Sequence, residues 1–260
     1  MEARAQHIET SAGVTTGFWT SGGSEDSVVL LPSLGRSGRD FYDLSGRLAE
    51  AGFRAIALDL RGVGESTGPL EGLTLHDLAA DVAALAGALD CGPVHVVGHA
   101  FGNRVARCLA ADHPGLVRSV VLVAAGGLVE PEPQAWADLR RCFQLDLPEA
   151  ERLDAIRAAF FAPSSDPTVW RDGWWQSGAA AQAGANRATP REDWWEAGST
   201  PLLVIQGLDD RMAPPANGHA LKETLGDRAQ LVDLPDAGHA LLPEQPEAIA
   251  KAIIPFLRQH

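Results

Sequence analysis

The chain has 260 residues, 45% of them hydrophobic, which is enough to fill the core of one α/β domain carrying an insertion. Its 34 acidic residues against 21 basic ones give a formal net charge of −13. That balance repels phosphate backbones and anionic lipid and excludes nucleic acid and membrane surfaces as expected partners. No apolar run approaches the ~18 residues of a membrane span, and the opening MEARAQHIET lacks the apolar core of a signal peptide, so a cytoplasmic protein is expected. Cys91, Cys108 and Cys142 are odd in number and without C-x-x-C spacing, which points to small core thiols rather than a disulfide framework or a zinc site.

In chain order, residues 7–10 and 14–20 carry strand composition around Gly13 and predict a hairpin. Residues 27–31 (SVVLL) form a continuous apolar run, the mark of a strand buried on both faces. A loop containing Ser33, Leu34, Gly35 and Ser37 follows, then a helix over about 40–51 and a buried strand over 54–58. Thr74 with Asp77 predicts a capping box, and Leu75, Leu78, Val82, Leu85 and Leu89 continue at helical spacing. An apolar strand, the turn Gly98-His99-Ala100-Phe101-Gly102, a helix and a strand over 117–123 complete an alternation that predicts a parallel sheet with right-handed crossovers.

Residues 128–198 break this pattern. They hold six of the seven tryptophans (Trp136, Trp170, Trp174, Trp175, Trp194 and Trp195) together with Phe143, Phe160 and Phe161, and they predict short helices without buried strands. Strand patterning returns at 201–205, followed by a helix near 217–225, a strand at 230–234 and a last helix from about Pro246. The expected organisation is therefore a sheet domain of residues 1–127 and 199–260 with a helical, tryptophan-rich lid inserted at 128–198.

Ligands of an open parallel sheet gather at the carboxyl ends of its strands, and the loops 32–38, 59–66, 98–102, 207–214 and 236–240 all fall there. The turn 98–102 has the glycines of a G-x-S-x-G nucleophile elbow, but Ala100 stands at its centre. A methyl group neither attacks a carbonyl nor donates a hydrogen bond. An acid from Gly207-Leu208-Asp209-Asp210 and the imidazole of Gly238-His239 follow in the chain order nucleophile, acid, histidine. A carboxylate beside an imidazole fixes its tautomer and makes it a general base.

These strings, with D-x-R-G-x-G-x-S at 59–66, resemble the α/β-hydrolase superfamily, and in particular its lidded members such as haloperoxidase-like esterases and carbon–carbon bond hydrolases. The resemblance implies that His239 is the base, Asp210 its orienting acid with Asp209 as the fallback, and Ala100 the nucleophile position. It further implies an oxyanion hole built from the backbone N–H groups of Phe101 and Leu34. The candidate substrate-binding residues are Ser33 and the lid aromatics Trp136, Phe143, Trp170, Trp174, Trp175 and Trp194, the tryptophans being divided between core and pocket wall.

Plain structural roles are expected for several neighbours: packing for His99, a core position for His95, loop clamping for Arg61, and surface positions for His7, His76, His113, His219 and His260. Three readings of Ala100 stay open. A hydrolase serine has been replaced, or the alanine is native and the Asp210–His239 dyad works as a general base alone, or the lidded pocket belongs to a receptor. The dyad could also be a relic that only holds loops together. The expected ligand is a small, largely apolar ester, lactone or cleavable diketone. No metal, phosphate loop or dinucleotide fingerprint is legible, so no cofactor is expected, and the protein is expected as a monomer or homodimer.

Overall fold

The computed structural model describes residues 5–23 and 26–260. Met1–Arg4, the first part of the opening read for a signal peptide, lie outside the described residues, as do Ser24 and Glu25. Eight strands form one sheet in the order β1-β2-β4-β3-β5-β6-β7-β8. β1 (Gln6–Ser11) and β2 (Val14–Ser21) make the predicted antiparallel hairpin, and β2 runs antiparallel to β4 (Arg54–Leu58). From β4 through β3 (Ser27–Leu31), β5 (Val94–His99), β6 (Val117–Val123), β7 (Leu202–Gly207) and β8 (Ala229–Leu234) every pairing is parallel.

The apolar runs are continuous because helices cover both faces. Val29, Leu31, Val96, Val120, Leu122, Leu202 and Val204 pack against α2 (Leu75–Ala88) and α3 (Phe101–Asp112). Their neighbours Val28, Leu30, Val97, Val121, Val123, Leu203 and Ile205 pack on the other face against α1 (Tyr42–Glu50) and a C-terminal helix over Pro246–Leu257. The side-chain period of two thus sorts each strand between two cores.

Thr74 and Asp77 close the expected capping box at the start of α2, with the Thr74 N–H donating to Asp77 at 2.8 Å. The helix expected over 40–51 divides into a 3₁₀ turn at Gly38–Phe41, capped by Ser37, and α1 proper. The buried carboxylate of Asp59 accepts the Gly38 N–H at 3.0 Å at the start of that turn.

Between β6 and β7 the chain leaves the sheet for α4 (Pro133–Cys142), α5 (Glu149–Phe160) and α6 (Gln176–Ala188), with no strand among the described residues of this stretch. Leu139, Cys142, Ile156, Phe160, Phe161 and Trp170 form a small third core there, which also takes in Ala240. α7 (Ala216–Leu225) follows β7, and an unexpected four-residue helix, α8 (Leu241–Glu244), precedes the C-terminal α9 (Pro246–Leu257). No described helix is long and apolar enough to cross a membrane.

Candidate active site

The turn between β5 and α3 is as tight as its glycines suggest. A Cβ on Gly102 would lie 2.1 Å from the carbonyl oxygen of Leu31, and one on Gly98 would lie 2.5 Å from the backbone of Asn103. Ala100 sits between them at φ 51°, ψ −107°, a conformation that a residue with a Cβ rarely adopts, and its N–H donates to the Val123 carbonyl at 2.9 Å. Phe101 opens α3, so its N–H belongs to the first turn, which has no intrahelical acceptors.

His239 and Asp210 meet from the two C-terminal strand-end loops. His239 Nδ1 lies 2.9 Å from Asp210 Oδ2 and 3.1 Å from Oδ1, with both residues buried. Asp210 Oδ1 also accepts the N–H groups of Met212 and Ala213 at 2.8 and 2.7 Å, so the carboxylate is fixed by its own loop. Asp209, the fallback acid, is exposed and offers only its backbone N–H, to Ala237. His99 is fully buried, packs 5.9 Å from the Trp170 ring and donates from Nε2 to the His239 carbonyl at 2.7 Å. Burial and the neighbouring His239 push its pKa down to about 3, which keeps the ring neutral.

Ala100 and His239 share the wall of a cavity of about 400 Å³ with Ser33, Leu34 and Phe101. Trp136, Leu139, Phe160 and Met212 add apolar surface, while Arg104, Glu130 and Arg187 add charge. The expected aromatic lining needs correction, since Phe143, Trp170, Trp174, Trp175 and Trp194 do not line this cavity.

The Arg36 guanidinium lies 4.7 Å from each of the mutually perpendicular Trp170 and Trp174 rings, which pack against Phe160 and Phe143 respectively. The half-buried Trp175 contributes backbone, its N–H donating to the Gly35 carbonyl. Trp194 is buried against the Arg107 guanidinium at 4.5 Å. Aromatic content shows that a segment buries area, but not which surface buries it. Phe160, whose ring lies 5.7 Å from that of His239, takes a wall position that nothing in its local pattern reveals.

Several supporting groups also escape sequence reading. Gln206, fully buried, bridges the Ala125 N–H and the Ala213 carbonyl and so ties the acid loop to the end of β6. Asn217 accepts the N–H groups of Leu128 and Val129 and fixes the start of the insertion. Glu244 accepts the N–H of Gly238 at 2.8 Å and of Ala162 at 2.7 Å, pinning the histidine loop to the end of α5. Ser37 bonds to Asp59 as well as capping its turn, and so differs from Ser33, which remains on the cavity wall. Arg61 clamps Asp81 and the Pro69 carbonyl, and His95 is buried on Ser119.

His76 is partly exposed, in keeping with the expected surface position, and is held by acidic partners. It bridges Asp112 (2.8 Å) and Asp193 (3.4 Å), and its hydrogen bond to Asp112 raises its pKa. With Cys108 it forms a group whose ligand-type atoms lie within 4.8 Å of one another, an arrangement able to hold a cation. Burial pushes the Cys108 thiol far above the usual thiol range, so the group is a His76–Asp112 hydrogen bond beside a neutral thiol.

A mostly parallel sheet with an elbow after β5, an acid after β7 and a histidine after β8 is the architecture of α/β hydrolases, and the alpha/beta hydrolase family profile matches residues 28–252. The chain belongs to that family. Among its relatives, a Mycobacterium tuberculosis protein with the provisional name non-heme bromoperoxidase BpoC is 31% identical over 259 residues, covering 90% of this chain and 94% of the relative. A Variovorax paradoxus protein provisionally named carbamate hydrolase RutD is 30% identical over 253 residues, covering 89% and 91%. A hydrolase from Pseudomonas aeruginosa superposes with a TM-score of 0.81 at 26% identity over 99% of both chains.

Proposed function

We propose that this chain is an enzyme that hydrolyses a small, largely apolar carbonyl compound, an ester, lactone or cleavable C–C bond, beneath a lid formed by residues 128–198. The observation that carries the reading is the Asp210–His239 pair, 2.9 Å apart, opening onto the same cavity as Ala100. Asp210 accepts a hydrogen bond from the Nδ1–H of His239 and leaves Nε2 free as the base. His239 takes a proton from water, the hydroxide adds to the substrate carbonyl, and the oxyanion accepts from the N–H groups of Phe101 and Leu34. On collapse the leaving group takes the proton back from His239, so an ester gives an acid and an alcohol, a lactone gives a single hydroxy acid, and a cleaved C–C bond gives an acid and a fragment protonated at carbon. Serine at position 100 would insert a covalent acyl-enzyme into the same sequence. The relative named for carbamate hydrolysis supports carbonyl chemistry on this frame. No cofactor enters this scheme.

The test is p-nitrophenyl butyrate turnover by the wild type, Ala100→Ser and His239→Ala. The wild type is expected to turn over slowly, His239→Ala to fall to background, and Ala100→Ser to gain roughly 10³-fold or more, the scale on which triad serines act. A serine variant without gain would sink the elbow reading. A wild type no faster than His239→Ala, with ligand held but never converted, would make the cavity that of a receptor.

A further inference from the structure

We propose that the ligand of this cavity carries a carboxylate, held by Arg104 together with Asn186 and Arg187. This rests on reading the cavity as the substrate site. Arg104 sits in the first turn of α3, four residues beyond Ala100 at the N-cap, about 6 Å further along the axis at the helical rise per residue. It lines the cavity, and its guanidinium stands 5.7 Å over the Trp194 ring. Among the described residues it makes no hydrogen bond and no ion pair within 4.0 Å. Five N–H donors in a half-buried position without an acceptor are costly unless something fills the site.

A second, independent observation comes from α6. Asn186 also lines the cavity, and its Oδ1 is buried without a hydrogen-bond partner. Rotated by half a turn, that amide presents its NH₂ group in the same place. Arg187, the next residue, reaches the same wall from an exposed position. Against these two arginines stands one lining carboxylate, Glu130, which is exposed and only partly offsets the burial that lowers the Arg104 pKa. In a chain of net charge −13, a wall with a cationic excess is a local departure from the global field. Guanidinium forks match carboxylates two bonds at a time, which makes that group the natural occupant.

The helical offset sets the ligand's length: the reacting carbonyl beside Ala100 and the carboxylate at Arg104 fit a separation of three methylenes. Two non-hydrolysable probes differ only in that charge, 5-oxohexanoate and its neutral amide, 5-oxohexanamide. Isothermal titration of the wild type is expected to show 5-oxohexanoate binding roughly ten- to a hundredfold more tightly. Arg104→Gln should abolish the preference, Arg104→Lys should keep part of it, and Arg187→Gln should reduce it several-fold. Equal affinity of the wild type for the two probes overturns the inference, as does a preference that survives Arg104→Gln. Should that variant not fold, as judged by circular dichroism, a preference unchanged in Arg187→Gln overturns it instead. None of these failures touches the hydrolytic reading, which is decided by turnover of the neutral p-nitrophenyl butyrate.

Discussion

Asp59 explains most of the D-x-R-G-x-G-x-S string. Its carboxylate, 1% exposed, accepts the N–H groups of Gly38 and Glu65, and its own carbonyl accepts the Ser66 hydroxyl at 2.7 Å. Gly64 is fixed by the same clasp, since a Cβ there would lie 1.8 Å from Asp59 Oδ2. The string is therefore a fastener between the loops after β3 and β4. Burial, only partly offset by these donors, pushes the Asp59 pKa from 3.8 up to about 6. The folded state then holds this proton more tightly than the unfolded chain does. The resulting stabilisation is full below pH 3.8 and is lost as the pH rises to about 6. Asp59→Asn does not titrate, so the stability of wild type relative to this variant should fall by up to about 3 kcal/mol between pH 4 and pH 7. Denaturant unfolding across that range reads the difference, and a flat difference would refute the assignment.

At the scale of elements, α8 matters beyond its four residues. Glu244 at its end holds the loop that carries His239 and the segment after α5, so it couples that loop to the insertion. Glu244→Ala leaves two backbone N–H groups unpaired. It should cost about 1–3 kcal/mol of stability in urea unfolding and lower turnover through a displaced His239. Glu244→Gln, which retains one acceptor oxygen, should recover part of both.

These elements also mark what could be read beforehand. The strands and α2 were legible because an unbroken apolar run or a capping box is a local signal. Asp210 and His239 were legible because chain order and strand-end position are local too. By contrast α8, with the sequence Leu-Leu-Pro-Glu, is too short to show a helical period and exists through tertiary bonds. The division of the insertion's aromatics between Arg36, Arg107 and the cavity is likewise set by partners more than thirty residues away in sequence.

In the whole molecule, stability is distributed unevenly. The central strands lie between two large cores, whereas α4 and α5 rest on the small third cluster around Phe160 and Trp170. Native-state hydrogen exchange should therefore show β3, β5, β6 and β7 opening only with global unfolding, and α4 and α5 through smaller, cheaper openings. Uniform protection would argue against a separately mobile cover.

The strained turn at Ala100 has a further consequence. Its geometry is enforced by the walls around Gly98 and Gly102 and by the Val123 carbonyl, none of which requires a hydroxyl. Because the codon families GCN and TCN differ at one base, alanine and serine at this point lie a single nucleotide substitution apart. On the proposed reading, a serine could therefore enter this turn by one base change without rebuilding the walls that hold it.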